Sequence, residues 1–218
     1  MAVVSRITMG RPATVRLAEA FKAPARRLAP VVEKYLFHFR RKWLYEAEVS
    51  SVRETVAAVP LSFRPGDAAD VLRFTLVDHG YDEEDRRFSL ERIAAGDWLF
   101  VGESGGQVVF YGWAMFGAIQ LDDLEYAPIP PGVAYLYKFL TVPRYRGKGI
   151  MKAALTHMAR RLAEARYSRA LLWVRPRNAF SIDAAVGAGF HRAGTIYNLS
   201  VLGHRWSRIR WRSASQAA

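Results

Sequence analysis

The stretch Phe139-Leu-Thr-Val-Pro-Arg-Tyr-Arg-Gly-Lys-Gly-Ile-Met-Lys-Ala-Ala-Leu155 constrains this chain more than any other. A β-branched and aromatic run passes directly into Arg146-Gly147-Lys148-Gly149. Apolar residues then recur at helical spacing through Ile150, Ala154, Leu155, Met158 and Leu162. A strand must therefore stop, turn on two glycines and start a helix at once. Such a turn suits a phosphate group. Glycines let the backbone approach closely, the first helical N–H groups have no carbonyl to bond, and the helix dipole favours an anion there. Arg144, Arg146, Lys148 and Lys152 add counter-charge. The Walker pattern fails at Val142, where it needs Gly, and the dinucleotide pattern fails at Lys152, where it needs a third Gly. A pyrophosphate would fit; the bland alternative is a basic turn with no ligand.

Charge points the same way. Lys and Arg outnumber Asp and Glu by 32 to 20, a formal net charge of +12, so an anionic partner is expected. Residues 1–54 hold 11 basic against 5 acidic side chains, residues 143–177 hold 10 against 1, and His204 to Arg212 holds four arginines and no acid. The absence of cysteine removes disulfides, thiol nucleophiles and cysteine metal sites. His38, His79, His157, His191 and His204 stand too far apart to form a helical metal pair, so no metal is expected. The apolar run Val108 to Ile119 is short for a bilayer and reads as a buried strand. At 51% apolar residues the chain can bury a real core.

Residues 1–30 read as a basic arm broken by Pro12, Pro24 and Pro30, without the apolar core of a secretory signal. From Val31 to Ala47 the spacing of Val32, Tyr35, Leu36, Phe39 and Trp43 predicts an amphipathic helix, so residues 1–54 are expected to be a basic helical extension and 55–218 the main domain. Beyond Pro60, short apolar runs alternate with helical patterns, an α/β signature. Expected elements are a strand at 61–64, a helix capped by Asp67 that stops near Gly80, and a polar helix from about Glu83 to Ala95. A hairpin over 98–119, a loop at 122–131, a strand at 133–142, a helix at 149–165, a strand at 170–174, a helix at 178–188 and a strand from Phe190 follow. Gly102-Glu-Ser104-Gly-Gly106 satisfies the esterase nucleophile string but joins strand to strand, so it reads as a turn.

Over residues 59–203 the element order, and the Arg146-Gly147-Lys148-Gly149-Ile150-Met151 segment with Asn178-Ala-Phe-Ser181 and Gly189-Phe190 downstream, resemble the GNAT superfamily of acetyl-CoA-dependent N-acyltransferases. The resemblance implies a mixed, mostly antiparallel central sheet flanked by helices. It implies diphosphate contacts from Arg146, Gly147, Lys148, Gly149, Ile150 and Met151, and places Asn178 and Ser181 against the pantetheine arm. It further implies that backbone groups of Leu140, Thr141 and Val142 pair with the pantetheine as an added strand would, with the Leu140 N–H as oxyanion donor. The family's last motif position is Gly or Ala where this chain has Met151. Its frequent tyrosine seven residues after the Asn is Ala185 here.

The chemistry implied is acetyl transfer from acetyl-CoA to a primary amine by direct attack in a ternary complex. An alkyl amine with a pKa of about 10.4 must lose a proton before it attacks. The strand 133–142 carries no Asp or Glu; Tyr135 and Tyr137 are its polar options on one face and Lys138 lies on the other, and Tyr137 is taken as the expected proton acceptor. The acceptor is expected to be a small-molecule or sugar- or lipid-linked amine. An RNA- or protein-borne amine and a non-catalytic acyl-CoA-binding module stay open, as do self-association as a homodimer and contact of the basic ends with nucleic acid or with the inner face of a membrane from the cytoplasm.

Overall fold

The computed structural model describes residues 37–122, 125–202 and 204–212. The chain divides into two units: Arg41–Tyr197 with Ser207–Ala218, and Met1–Arg40 with Asn198–Trp206. In the smaller unit the described residues are strand backbone, apart from a turn at Leu202. The basic arm over 1–30, and residues 31–36 of the expected helix, lie outside the described residues.

The elements are β1 (Phe37–Glu48), β2 (Ser62–Gly66), α1 (Ala68–Arg73), α2 (Leu76–His79), α3 (Glu83–Ala94), β3 (Trp98–Ser104), β4 (Gln107–Phe116), β5 (Ala118–Asp122), β6 (Glu125–Pro128), β7 (Val133–Thr141), α4 (Ile150–Glu164), β8 (Arg169–Val174), α5 (Ala179–Gly187), β9 (His191–Val201) and β10 (His204–Trp211). The main sheet has the order β10-β9-β1-β8-β7-β4-β3-β2, and β5 and β6 form a separate two-stranded sheet. β1–β8, β2–β3, β3–β4 and β4–β7 pair antiparallel, and β7–β8 pair parallel. The mixed, mostly antiparallel sheet flanked by helices is thus the expected one.

Three expectations are corrected. Residues 37–48 form a strand, not a helix, and Arg41–Glu48 fall within the larger unit. The physical reason is burial on both faces: Tyr45, Ala47 and Val49 join one core cluster while Leu44 joins the other, which suits a strand inside a sheet and not a one-sided helix. The helix from Asp67 breaks at Phe74 into α1 and α2, because Asp67 and Thr75 each cap a separate helix start; Asp67 and Asp70 form a reciprocal capping box. The loop expected over 122–131 contains β6.

Two cores face each other across the sheet. On one side α4 lays Leu155, Met158, Ala159 and Leu162 against Ala134, Leu136, Leu172 and Val174. Each fully buried Leu or Met there contributes on the order of 1.5–3 kcal/mol. On the other side Tyr135 and Tyr137 pack with Val71, Phe74, Tyr81 and Leu171. Alternation along β7 sends Ala134 and Leu136 to the α4 side and Val133, Tyr135 and Tyr137 to the α1–α3 side; past Tyr137 the order reverses, with Phe139 on the α4 side and Leu140 on the other.

Candidate active site

β7 and β8 share only three registered pairs, Val133↔Arg169, Ala134↔Ala170 and Tyr135↔Leu171, although β7 runs on to Thr141 and β8 to Val174. Beyond Tyr135 the two strands part. Beside the opening, Gly147 (φ 75°) and Gly149 (φ 74°) both take the left-handed conformation, and α4 starts with no side chain capping it. The first-turn amides of Ile150, Met151 and Lys152 lack helical acceptors, so the helix start is open to an anion. The Ala58 N–H donates to Lys148 O (2.9 Å) and ties an earlier loop to this turn. Ile150 is buried, and Met151 packs partly buried between two apolar clusters, so the larger residue at the last motif position fills core space.

The basic side chains divide. Arg144 is held by Asp78 (2.6 Å) and Gln107 (3.0 Å), which takes it out of the cradle's counter-charge. Arg146 Nε donates to the Thr141 carbonyl (3.2 Å), and Lys148 Nζ lies 5.0 Å from the Tyr145 ring.

Ladder parity sets which amides of β7 face the gap. Thr141 pairs with Phe110 and Leu140 with Tyr111, while the Val142 N–H donates to Val109 O (2.9 Å) and its carbonyl accepts from Tyr145 (2.9 Å). In an antiparallel ladder of this register alternate residues aim their amides at the same neighbour, so Leu140 points with Val142 toward β4. Thr141, and Phe139 two residues before it, point toward the gap. A bulge sets this phase: two residues, Lys138 and Phe139, oppose the single Gly112 between the pairs Tyr111↔Leu140 and Trp113↔Tyr137, and Lys138 has φ 49°. Gly112 is needed there, since a Cβ on it would come within 2.7 Å of the Phe139 ring.

Asn178 caps α5 by accepting from the Ser181 N–H (3.2 Å), and both residues line a cavity of about 440 Å³. That cavity joins the two sides of the sheet: Met151, Asn178 and Ser181 border one end, and Arg92, Tyr135 and Trp173 the other. Ala185 is fully buried in the core. His79 is fixed between the Thr75 N–H (3.1 Å) and the Val108 carbonyl (3.2 Å), stacks on Phe74 and does not line the cavity. Ser104 ends β3 in a hairpin turn, as its context implied.

Tyr137 is 5% exposed and donates its hydroxyl proton to Asp97 Oδ2 (2.6 Å), which also accepts from Arg92 Nη1 (3.3 Å). Burial pushes its pKa far above the usual tyrosine value, with Asp97 adding to the rise. The phenol therefore stays neutral and cannot serve as a free base. It can still pass a proton on, because a carboxylate waits at its other end. Sequence reasoning missed Asp97: it stands between α3 and β3, far from β7 in sequence, with no motif around it. Lys138 bonds Asp85 (2.8 Å), and although burial works against it, that ammonium holds the Asp85 carboxyl below its usual pKa.

A parted strand pair beside an uncapped, glycine-started helix defines a protein that holds an extended ligand ending in phosphate. The profile of the Acetyltransferase (GNAT) family matches residues 69–190, more than half of the chain. The chain belongs to that family, whose acyl donor is acetyl-CoA. Solved structures agree in fold. A GNAT-family acetyltransferase from Colwellia psychrerythraea is 16% identical with a TM-score of 0.54, over 80% of this chain and 57% of that one. A GCN5-related N-acetyltransferase from Kribbella flavida is 16% identical with a TM-score of 0.53, over 88% and 74%. One described as a putative GNAT acetyltransferase, from Novosphingobium aromaticivorans, is 15% identical with a TM-score of 0.51, over 73% and 63%. This chain thus spans less than two thirds of the Colwellia and Novosphingobium chains. No curated protein sequence matches it. Among the described residues there is no cluster of metal-ligating side chains and no helix long and apolar enough to cross a membrane.

Proposed function

We propose that the protein transfers an acetyl group from acetyl-CoA to a primary amine by direct attack in a ternary complex. The observation that carries this reading is one cavity, running where β7 and β8 part, with cofactor-type groups at one end and a buried proton relay at the other.

The residues present fit the cofactor. Gly147, Lys148, Gly149, Ile150 and Met151 would hold the diphosphate through backbone amides, with Arg146 beside them, and Thr141, Asn178 and Ser181 would border the pantetheine arm. Acetyl-CoA supplies the thioester carbon that the amine attacks. The Phe139 amide, directed into the gap, is the donor offered to negative charge developing on the acyl oxygen. Tyr137 takes the proton from the attacking nitrogen while passing its own to Asp97 Oδ2, so neither the phenolate nor a carboxylate on β7 is needed. The same hydroxyl returns that proton to the departing sulfur.

Calorimetric titration with acetyl-CoA, paired with a thiol-release assay across primary amines, tests this. Binding with amine-dependent release of thiol supports it. Binding without release from any amine would leave a non-catalytic module, and absence of binding would remove the cofactor assignment.

A further inference from the structure

We propose that the amine acceptor carries a compact anionic group, a carboxylate or a phosphate, which seats on Arg92 and Arg175. The inference rests on the acetyltransferase reading and adds the class of its second substrate. Among the described residues four cations line the cavity, Lys42, Arg92, Lys138 and Arg175, against one carboxylate, Asp122, which lies 3.8 Å from Lys42. Asp97 and Asp85, which answer Arg92 and Lys138, are not part of that lining. The described lining therefore carries more cations than carboxylates.

The phosphates of acetyl-CoA do not account for this charge, because of the residues assigned to them only the apolar Met151 is in the lining. Arg175 follows β8 at the mouth, is exposed, and makes no ion pair among the described residues. Arg92 is 7% exposed, with its guanidinium carbon 4.2 Å from the Phe88 ring and 4.5 Å from the Tyr137 ring. Its Nη1 and Nη2 reach Asp97 (3.3 Å) and the Tyr126 hydroxyl (3.4 Å). Its Nε is buried with no hydrogen-bond partner among the described residues. Two arginines suit the planar or tetrahedral oxygen sets of carboxylate and phosphate. The rings on either side of Arg92 hold its plane and exclude water, which strengthens the attraction.

The experiment compares matched amines on the protein loaded with acetyl-CoA: β-alanine against propylamine for a carboxylate, and 2-aminoethyl phosphate against ethanolamine for a phosphate. The charged member of at least one pair is expected to show a kcat/KM at least tenfold higher. Arg175→Gln, an exposed change that spares the core, is expected to shrink that ratio at least threefold through KM while the acetyl-CoA Kd stays unchanged. Calorimetry of the same four amines on the CoA-loaded protein reads the preference without turnover. Equal or better use or binding of the neutral members, or no detectable binding of either charged one, would overturn the proposal. Loss of acetyl-CoA binding itself would instead strike the cofactor reading, so the two failures are separable.

Discussion

The phenol of Tyr137 and the carboxylate of Asp97 meet at 2.6 Å although forty positions separate them in sequence. If they work as one relay, Asp97→Asn and Tyr137→Phe should each lower kcat by about 100-fold, and the double variant should be little worse than either. KM for acetyl-CoA should change little. Because the phenol's pKa is raised, no alkaline limb from Tyr137 should appear in the wild-type pH–rate profile below about pH 10. Steady-state kinetics across pH checks both points, and additive losses in the double variant would separate the pair.

Gly149 starts α4 in the left-handed conformation with open space around it, Ala57 Cα being the nearest atom to a built Cβ at 3.9 Å. Gly149→Gln and Gly149→Glu share the backbone strain, about 1–2 kcal/mol, and differ in charge. Calorimetry should show acetyl-CoA binding at least tenfold weaker to the Glu variant than to the Gln variant, since only a carboxylate repels the diphosphate. Equal affinities would move the diphosphate elsewhere.

At Gly112 the Phe139 ring occupies the space of a side chain. Gly112→Ala should push that ring and the bulge behind it, with a stability loss of about 1–3 kcal/mol in chemical denaturation. The same variant should lose kcat more than acetyl-CoA affinity, because the Phe139 amide shifts while the phosphate turn does not. Unchanged kcat would show that Phe139 is not the donor to the acyl oxygen.

His157 stacks on Phe63 at 5.1 Å, is 9% exposed and has a buried Nε2 without a partner among the described residues. Burial, then Arg160 and Arg161, lower its pKa, so the unfolded chain takes up a proton near pH 6.5 while the folded chain resists. Stability should therefore fall as pH drops below about 6.5. His157→Phe, which keeps a stacked ring and removes the titration, should flatten that fall between pH 7.5 and pH 5 in urea denaturation. An equal slope in both proteins would rule His157 out as its source.

The phosphate turn was legible because its physics is local: a strand's end, two glycines and a helix's free amides are consecutive residues, and Asn178 caps α5 through a neighbour three positions on. Helices α3 and α4 and the hairpin β3–β4 were legible for the same reason, since periodicity and turn chemistry act over short spans. Strand β1 was not, because spacing along Val31 to Ala47 cannot reveal that both faces of residues 41–48 will pack into apolar cores. Which amides of β7 face the gap depends on ladder parity with β4, which only pairing across the sheet fixes. Arg92, Tyr137 and Arg175 come to line one cavity, and Asp97 to meet Tyr137 behind it, through tertiary packing, and no run of sequence encodes that convergence of distant segments.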